Sequence, residues 1–269
     1  MSDPTRPTGP RIISIVNQKG GVGKTTTTIN LGAALADEGF NVLIVDLDPQ
    51  GNASTGLGID PVDRQVTTYD LLLEDADLKD VIRPTNVEGL VIASATTDLS
   101  SADIEMMAIE KRSFLLHDAL RQPGIDPFQL DFVLIDCPPS LSLLTVNAMV
   151  ASHSVLIPLQ SEFFALEGLS QLMLTVRDVR QTANRGLRIE GILLTMYDGR
   201  NNLSQQVETD ARGTLGELVF KTVIPRNVRV SEAPSYAMPV IYYDPGSKGS
   251  QAYRALAQEM VEKLEQTTP

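Results

Sequence analysis

The 269-residue sequence contains one cysteine, two histidines and no tryptophan. Because a disulfide needs two cysteines, no intramolecular disulfide can form, and a reducing cytoplasm is the compartment we expect. Neither His117 nor His153 stands in a recognisable cysteine–histidine signature, so we interpret Cys137 as a structural thiol rather than a nucleophile. One cysteine also excludes an iron–sulfur centre that takes two cluster cysteines from each chain.

Positive charge is scarce as well. The 22 Lys and Arg residues face 34 Asp and Glu, a formal net charge of −12, so the chain as a whole should be repelled by nucleic acids and anionic membranes. The basic residues are nevertheless segregated. Residues 177–229 hold nine Lys or Arg against six Asp or Glu, whereas the rest of the chain holds thirteen against twenty-eight. Any binding to a polyanion must therefore be local to this segment, and the alternative is a solvated face that binds nothing.

Long apolar runs are absent too, and none approaches transmembrane length. Residues 1–10 are rich in Pro, Thr and Ser without an apolar core, which predicts a short disordered N-terminal tail and not a signal peptide. Residues 11–269 are then expected to form a single α/β domain, because a chain with 42% hydrophobic residues can bury a sizeable core.

Strand-like and helix-like segments alternate along the chain. The predicted strands cover residues 11–16, 41–46, 90–93, 132–135, 154–159, 187–195 and 219–224. The predicted helices cover residues 25–38, 102–120, 162–183 and 203–218, followed by a C-terminal helix. This alternation predicts a mostly parallel, twisted sheet of about seven strands with helices on both faces.

A glycine-rich loop, residues 17–26, joins the first predicted strand to the first predicted helix. Its glycines allow a tight turn with the backbone N–H groups directed inward, and the following helix adds its positive end. Lys24 supplies a mobile positive charge, and Thr25 supplies a hydroxyl suited to Mg²⁺. The loop therefore predicts a site for nucleotide phosphates. The residues predicted to line it are Gly20, Gly21, Val22, Gly23, Lys24, Thr25 and Thr26.

Carboxylates follow two of the predicted strands, where open parallel sheets bind ligands. Asp46 and Asp48 come at the end of the second strand, and Asp136 directly follows the strand over residues 132–135. A carboxylate in the position of Asp136 is typical of a Walker B element that holds Mg²⁺. Asp46 could support the water shell of the same metal. For Asp48 the simpler alternative is a capping aspartate in a turn.

The loop departs from the common P-loop pattern, because Gln18 stands where that pattern has glycine. Lys19 directly before the paired glycines resembles the deviant Walker A motif of the ParA/MinD ATPases. The chain is most similar to the chromosomal, Soj-type ParA proteins, and the likeness runs from Ile12 to about Leu264. It implies a P-loop NTPase-type fold, ATP and Mg²⁺ as cofactors, and a weak ATPase activity.

The resemblance also implies roles for single residues. Lys19 would reach the partner's ATP across a two-fold interface, Asp48 would orient the attacking water, and Lys24 would contact the phosphates of its own chain. Thr25, Asp48 and Asp136 would form the metal site. Pro225, Arg226 and Asn227 would surround the adenine. Arg200 and Arg229 match positions of sequence-independent DNA contacts, and Lys221 is a weaker candidate from its charge alone.

The partners implied by the resemblance are a second copy of the chain in the presence of ATP, non-specific DNA and a ParB-type centromere-binding protein, with a nucleoid-associated cytoplasmic location. A MinD-like membrane-cycling ATPase is the alternative, and it needs a C-terminal amphipathic helix with a basic face. Here acidic residues such as Glu259 and Glu262 outweigh Arg254 and Lys263. We therefore expect that helix to pack on the domain, with no membrane contact. A metabolic ligase on the same fold is a third hypothesis.

Overall fold

The computed structural model describes residues 9–162 and 165–267. Most of the tail predicted over residues 1–10 lies outside them. The strands are β1 (Arg11–Ile15), β2 (Val42–Asp46), β3 (Ile82–Pro84), β4 (Leu90–Ala93), β5 (Phe132–Asp136), β6 (Ser154–Gln160) and β7 (Arg188–Thr195). The α-helices are α1 (Lys24–Asp37), α2 (Asn52–Gly56), α3 (Thr68–Leu73), α4 (Leu78–Val81), α5 (Leu99–Glu105), α6 (Leu115–Ala119), α7 (Leu143–Ala151), α8 (Ala165–Thr182), α9 (Asn202–Leu215), α10 (Val228–Glu232), α11 (Val240–Tyr243) and α12 (Lys248–Thr267).

The seven strands form one sheet in the order β3-β4-β2-β5-β1-β6-β7, and only the β3–β4 pair is antiparallel. The pairing of β5 with its two neighbouring strands determines where the acidic residues lie. Asp136 at the end of β5 lies opposite Ile15 of β1 on one side and opposite Asp46 of β2 on the other. The carboxyl ends of three neighbouring strands therefore meet at one edge of the sheet, which is where parallel sheets bind ligands.

Both faces of the sheet are covered, as the near-continuous apolar runs of the central strands predict. Alternate residues of β1 enter different cores: Ile12 packs into one with α7 and α8, and Ile13 into the other with α1 and α12. In β2 the same alternation sends Leu43 to the first core and Ile44 to the second. The predicted two-faced α/β architecture is confirmed.

The predicted number of strands is also confirmed, but one member was wrong. The described structure places residues 219–224 in no ladder: Val219 forms an isolated bridge with Ile192, and the N–H groups of Phe220 and Ile224 donate to β7 carbonyls. Between these contacts, side chains bind the backbone. Arg212 donates to the carbonyls of Phe220 and Lys221 at 3.1 and 3.3 Å, and Glu259 accepts from the N–H groups of Lys221 and Thr222. The strand that completes the sheet is β3, which was not predicted. It is a short edge strand that ends in a proline and has little apolar signal.

The helix predicted over residues 102–120 is broken into α5, a 3₁₀ turn and α6. The buried amide of Asn147 makes this break possible. It donates to the carbonyl of Arg112 at 2.8 Å and accepts from the N–H of Leu116 at 3.3 Å, so it satisfies backbone groups that a continuous helix would pair internally.

The C-terminal helix α12 packs on the domain, as predicted. Tyr253, Leu256 and Met260 are buried in the core that contains α1. Within the part of the chain that the structure describes, no helix is long and apolar enough to cross a bilayer.

Candidate functional site

The glycine loop has the backbone shape that an anion site requires. Gly21 and Gly23 have φ angles of +74° and +90°, in the left-handed region that residues with a Cβ rarely adopt. Gly23 is also the N-cap of α1, and no side chain caps this helix or places a negative charge in its first turn. The N–H groups of the first turn therefore have no competing side-chain acceptor and are suited to bind an anion.

Neighbouring strands hold the loop in place. The amide of Asn17 donates to the carbonyl of Pro158 in β6 at 2.7 Å, and the hydroxyl of Thr195 in β7 donates to the carbonyl of Val22 at 2.8 Å. These contacts tie the loop to two strands more than 130 positions away in the sequence. The loop is positioned before any ligand arrives, which reduces the ordering cost of binding.

Lys24 lies inside the loop and is only 6% exposed. Its ammonium donates to the carbonyl of Lys19 at 3.2 Å. Burial lowers the pKa of Lys24, and the nearby carboxylates of Asp136 and Asp48 partly oppose that shift. A cation that is partly desolvated in this way gains more from a phosphate than an exposed lysine would, since the solvent screens it less.

Lys19, the other lysine of the loop, faces outward. Its side chain is 49% exposed, and its ammonium lies 2.6 Å from the carboxylate of Glu162, which follows β6. The same carboxylate accepts from the amide of Gln160 at 2.5 Å. The structure therefore separates the two lysines: Lys24 is within the phosphate loop, and Lys19 is held at the protein surface by an ion pair.

Asp136 is fully buried, and its environment fits a metal ion. One carboxylate oxygen accepts from the hydroxyl of Thr28 at 3.2 Å, and the other has no hydrogen-bond partner. Burial and the neighbouring Asp46 carboxylate raise the pKa of Asp136 to about 8, although the nearby Thr25 hydroxyl and Lys24 ammonium oppose the rise. An unpartnered carboxylate oxygen beside a threonine hydroxyl suits Mg²⁺, which takes few protein ligands and completes its shell with water and phosphate. The described residues contain no cluster of three or more His, Cys, Asp or Glu side chains that could hold a metal ion.

Asp46 organises the loop that carries Asp48. One of its oxygens accepts from the N–H and hydroxyl of Ser54 at 2.9 and 2.7 Å, and the other accepts from the N–H of Asp48 at 3.2 Å. Burial raises the pKa of Asp46 to about 6 despite these hydrogen bonds. Asp48 itself is 7% exposed and accepts from the N–H of Gln50 at 3.0 Å. Asp46 thus fixes both ends of the segment 48–54.

Comparison with known proteins assigns the family. Residues 10–189 match the family described as AAA domain. The chromosome partitioning protein ParA of Caulobacter vibrioides is 54% identical over 254 residues, 94% of each chain. The sporulation initiation inhibitor protein Soj of Bacillus subtilis is 53% identical over 93% of this chain and 98% of its own. This chain belongs to the ParA/Soj family.

Among solved structures, cobyrinic acid a,c-diamide synthase from Mycobacterium smegmatis with bound ADP and magnesium has a TM-score of 0.82 and 37% identity over 96% of each chain. The family is one of nucleotide-hydrolysing P-loop proteins.

In this ParA-family chain the predicted adenine loop lies beyond the end of β7. The N–H of Arg226 donates to the carbonyl of Tyr197 at 2.9 Å, and Pro225 forms a bridge with Tyr197. The loop therefore lies beside the end of β7, the strand that contacts the glycine loop through Thr195. Asn227 has a structural task in addition, because its side chain caps α10 by accepting from the N–H of Arg229 at 2.8 Å.

Three residues of this ParA-family chain are predicted to contact DNA: Arg200, Lys221 and Arg229. Among the described residues, no ion pair or hydrogen bond links these three to one another. Arg200 is 92% exposed and pairs with Asp198 at 3.0 Å. Lys221 is exposed, and its backbone N–H donates to Glu259. Arg229 is half-exposed and pairs with two carboxylates.

Sequence reasoning missed three contributors to this site. Glu162, which binds Lys19, is 143 positions away and carries no local signal. Ser54 binds Asp46, and its only signal is its place in the segment after Asp48. Arg64 is buried and donates to the carbonyls of Gly51 and Ala95 at 3.4 and 2.9 Å, so it links the middle of the same segment to the residues after β4. An isolated arginine between turns gave no reason to expect burial.

Proposed function

We propose that this ParA-family chain is an ATP- and Mg²⁺-dependent partition ATPase that dimerises on ATP, binds DNA without sequence specificity and is released by hydrolysis. One observation carries the proposal: the uncapped glycine loop and three buried carboxylates meet at one edge of the sheet. Backbone N–H groups from Gly20 to Thr26, including those of Gly21, Val22 and Gly23, would surround the phosphates. Lys24 would neutralise the β and γ oxygens, and Pro225, Arg226 and Asn227 would enclose the adenine.

Thr25 and Asp136 would hold Mg²⁺, with Asp48 facing its water shell. When bound, the metal ion supplies positive charge that stabilises the phosphate oxygens during transfer. The unpartnered oxygen of Asp136 supports this assignment. Binding a cation there would favour the carboxylate form of Asp136, because a positive charge opposes the effect of burial.

Asp48 would orient the water that attacks the γ-phosphate. Its place supports this role, since Asp46 holds its backbone at the sheet edge and its side chain is nearly buried. A carboxylate positioned in this way lowers the barrier of the chemical step without contributing much to ground-state binding.

Lys19 would act across the dimer interface on the partner's ATP. Its exposed ammonium, directed to Glu162 and away from the buried ammonium of Lys24, supports a role outside its own phosphate loop. A two-fold dimer would make this contact twice. ATP would then favour the dimer because it offers Lys19 a γ-phosphate that ADP lacks.

Arg200, Lys221 and Arg229 would contact DNA phosphates, and doubling them in the dimer would raise the affinity. A ParB-type partner would stimulate hydrolysis and so release the protein from the nucleoid. The MinD-like alternative is less well supported, because the apolar stripe of α12 is already buried against α1.

The deciding experiment is DNA binding measured with ATP, ADP and no nucleotide, using wild-type protein and Lys19→Ala. We expect tight, salt-sensitive binding only for wild-type protein with ATP. Lys19→Ala should bind ATP as a monomer but show the weak DNA binding of the ADP state. Equal DNA binding in all three nucleotide states would refute the proposal. Binding to anionic vesicles and not to DNA would favour the membrane-cycling alternative.

A further inference from the structure

The surroundings of Arg229 are acidic. Its guanidinium lies 2.9 Å from the carboxylate of Glu232 on the same helix and 3.3 Å from that of Asp244, just after α11. Each of these three side chains is between 38% and 53% exposed, so the cluster is at the surface and within reach of a ligand. A cation that faces two carboxylates belongs to a group with a net charge of −1, which is unfavourable for an incoming phosphate.

The cluster is held in place by its neighbours. The hydroxyl of Tyr243 lies 3.4 Å from the Glu232 oxygen that contacts Arg229, and the ring of Tyr236 stacks on that of Tyr243 with centroids 4.9 Å apart. The backbone of Asp244 is fixed as well, since its carbonyl accepts from the hydroxyl of Ser250 at 2.7 Å. The hydrogen bond that Arg229 donates to Glu232 is the largest of the effects that raise the pKa of Arg229. The Glu232 carboxylate and the backbone of Asp244 are thus held by contacts that do not involve Arg229.

The other candidate arginine has a different environment. Arg200 is 92% exposed and pairs with one carboxylate, that of Asp198, so the pair is neutral. A phosphate can approach Arg200 from solvent, whereas at Arg229 it must displace at least one carboxylate and remain close to the other. The two arginines should therefore contribute unequally to binding.

We infer that Glu232 and Asp244 form an acidic clamp that withholds Arg229 from the phosphates of duplex DNA and thereby keeps the DNA affinity of each subunit low. The inference rests on the proposed DNA binding. A carboxylate that competes for the same guanidinium acts as an intramolecular substitute for the phosphate, and the second carboxylate repels the phosphate that replaces it. The clamp makes binding depend on several contacts acting together, as a dimer provides, rather than on one arginine.

The test is to remove the negative charge of each carboxylate in the clamp without changing the size of its side chain. Asp244→Asn and Glu232→Gln keep the size of each side chain and remove its charge. With ATP present, each variant should bind duplex DNA about three- to fivefold more tightly than wild-type protein, the range expected when an exposed ion pair is released. The slope of log affinity against log salt should steepen by up to about one unit, because one more phosphate contact forms.

Two controls separate the clamp from a general charge effect. Asp77→Asn also removes one negative charge and also releases a cation, Lys79, but that pair lies outside the basic segment. It should leave DNA affinity unchanged, and an equal gain in this variant would overturn the clamp. In an Arg229→Ala background, Asp244→Asn should give no gain. A gain that persists there would also overturn it, because the carboxylate would then act on something other than Arg229.

The outcomes also distinguish the clamp from the function on which it rests. If wild-type protein binds DNA with ATP and neither single variant binds more tightly, the clamp is wrong and the proposed function stands. If neither wild-type protein nor the variants bind DNA with ATP, the proposed function fails and the clamp fails with it.

Discussion

At the scale of single residues, the two lysines of the glycine loop have nearly opposite environments. Lys24 is buried and donates to a carbonyl within the loop, whereas Lys19 is half-exposed and paired with Glu162. Removing Lys24 deletes the principal cation that faces the β and γ oxygens. A hydrogen bond between charged groups contributes about 1.5–3 kcal/mol, so we expect Lys24→Ala to weaken ATP binding by about 10- to 150-fold.

Titration with a fluorescent ATP analogue measures this loss, and circular dichroism establishes that the variant is folded. Lys79→Ala is a suitable control, because Lys79 is an exposed lysine paired with Asp77. Unchanged nucleotide affinity in Lys24→Ala would contradict the role assigned to the loop.

At Asp48 a substitution can remove the charge of the side chain without changing its shape. In Asp48→Asn the side-chain oxygen can still accept from the N–H of Gln50, so the loop should keep its shape while the charge is lost. We expect ATP affinity to change by no more than a few-fold and turnover to fall by about 10²–10⁴, the usual contribution of a group that positions or activates the nucleophile. Single-turnover hydrolysis measures the fall in turnover, and equilibrium titration measures the change in ATP affinity. A normal rate would remove Asp48 from the mechanism.

The glycine loop and the aspartates after β2 and β5 could be predicted from sequence, because each belongs to a short contiguous pattern next to a strand. The partners that position them could not. Glu162 reaches Lys19 only through the folding of the sheet, and Ser54 reaches Asp46 through the turn between β2 and α2. A buried Arg64 has no sequence signature. Family resemblance supplied the roles of Lys19 and Asp48, whereas the residues alone supplied the phosphate site.

At the scale of elements, six of the seven strands and the long helices α1, α8, α9 and α12 were predicted, because buried strands are continuous apolar runs and surface helices are amphipathic. Shorter helices such as α2, α3, α7 and α10 were not predicted. Two of the failures, the strand predicted over residues 219–224 and the continuous helix predicted over residues 102–120, share one cause. Where polar side chains such as Arg212, Glu259 and Asn147 bind the backbone, local propensity no longer decides the structure. Residues 219–224 look like a strand, yet in the described structure only Phe220 and Ile224 donate their N–H groups to β7, and side chains of α9 and α12 bind the backbone between them.

Glu259 therefore connects α12 to this irregular segment, and it makes a pH-dependent contribution to stability. Burial alone would raise its pKa, but hydrogen bonds from Thr222 and Lys221 and the nearby Lys263 outweigh burial, so the pKa lies below its ordinary value of 4.5. A lowered folded-state pKa means that the stabilisation is present above about pH 4.5 and is lost as the pH falls through the folded value. Glu259→Gln should reduce the free energy of unfolding by about 1–2 kcal/mol at pH 7.

Urea unfolding at several pH values measures this effect. Glutamine accepts with one oxygen only and directs its NH₂ group at the second N–H, which explains the loss. The difference between wild-type protein and Glu259→Gln should shrink toward pH 4. Glu262→Gln on the exposed side of the same helix should change stability by no more than about 0.5 kcal/mol. A pH-independent difference would show that packing, and not the charge, is responsible.

At the scale of the whole molecule, the sequence reveals that basic residues are segregated but not how each is neutralised. The positive segment over residues 177–229 ends at Arg229, and the acids that face this arginine, Glu232 and Asp244, lie just beyond it. The order of the strands could not be predicted from the sequence either, because it depends on which connecting helix packs against which face of the sheet. Only the assembled sheet shows that Asp46 and Asp136 lie opposite one another.

The outward ion pair between Lys19 and Glu162 has a genetic consequence. If each ATP is completed by the other subunit's Lys19, a single catalytic centre is assembled from two polypeptides, and defects in different polypeptides can compensate. Lys19→Ala lacks the donated lysine but keeps its own Asp48, whereas Asp48→Asn has the reverse defect. Each protein alone should be inactive. In a mixture of the two proteins, each mixed dimer would have one intact centre and one centre with both defects, so turnover should rise above that of either protein alone. A mixture as inactive as its components would mean that Lys19 serves only its own chain.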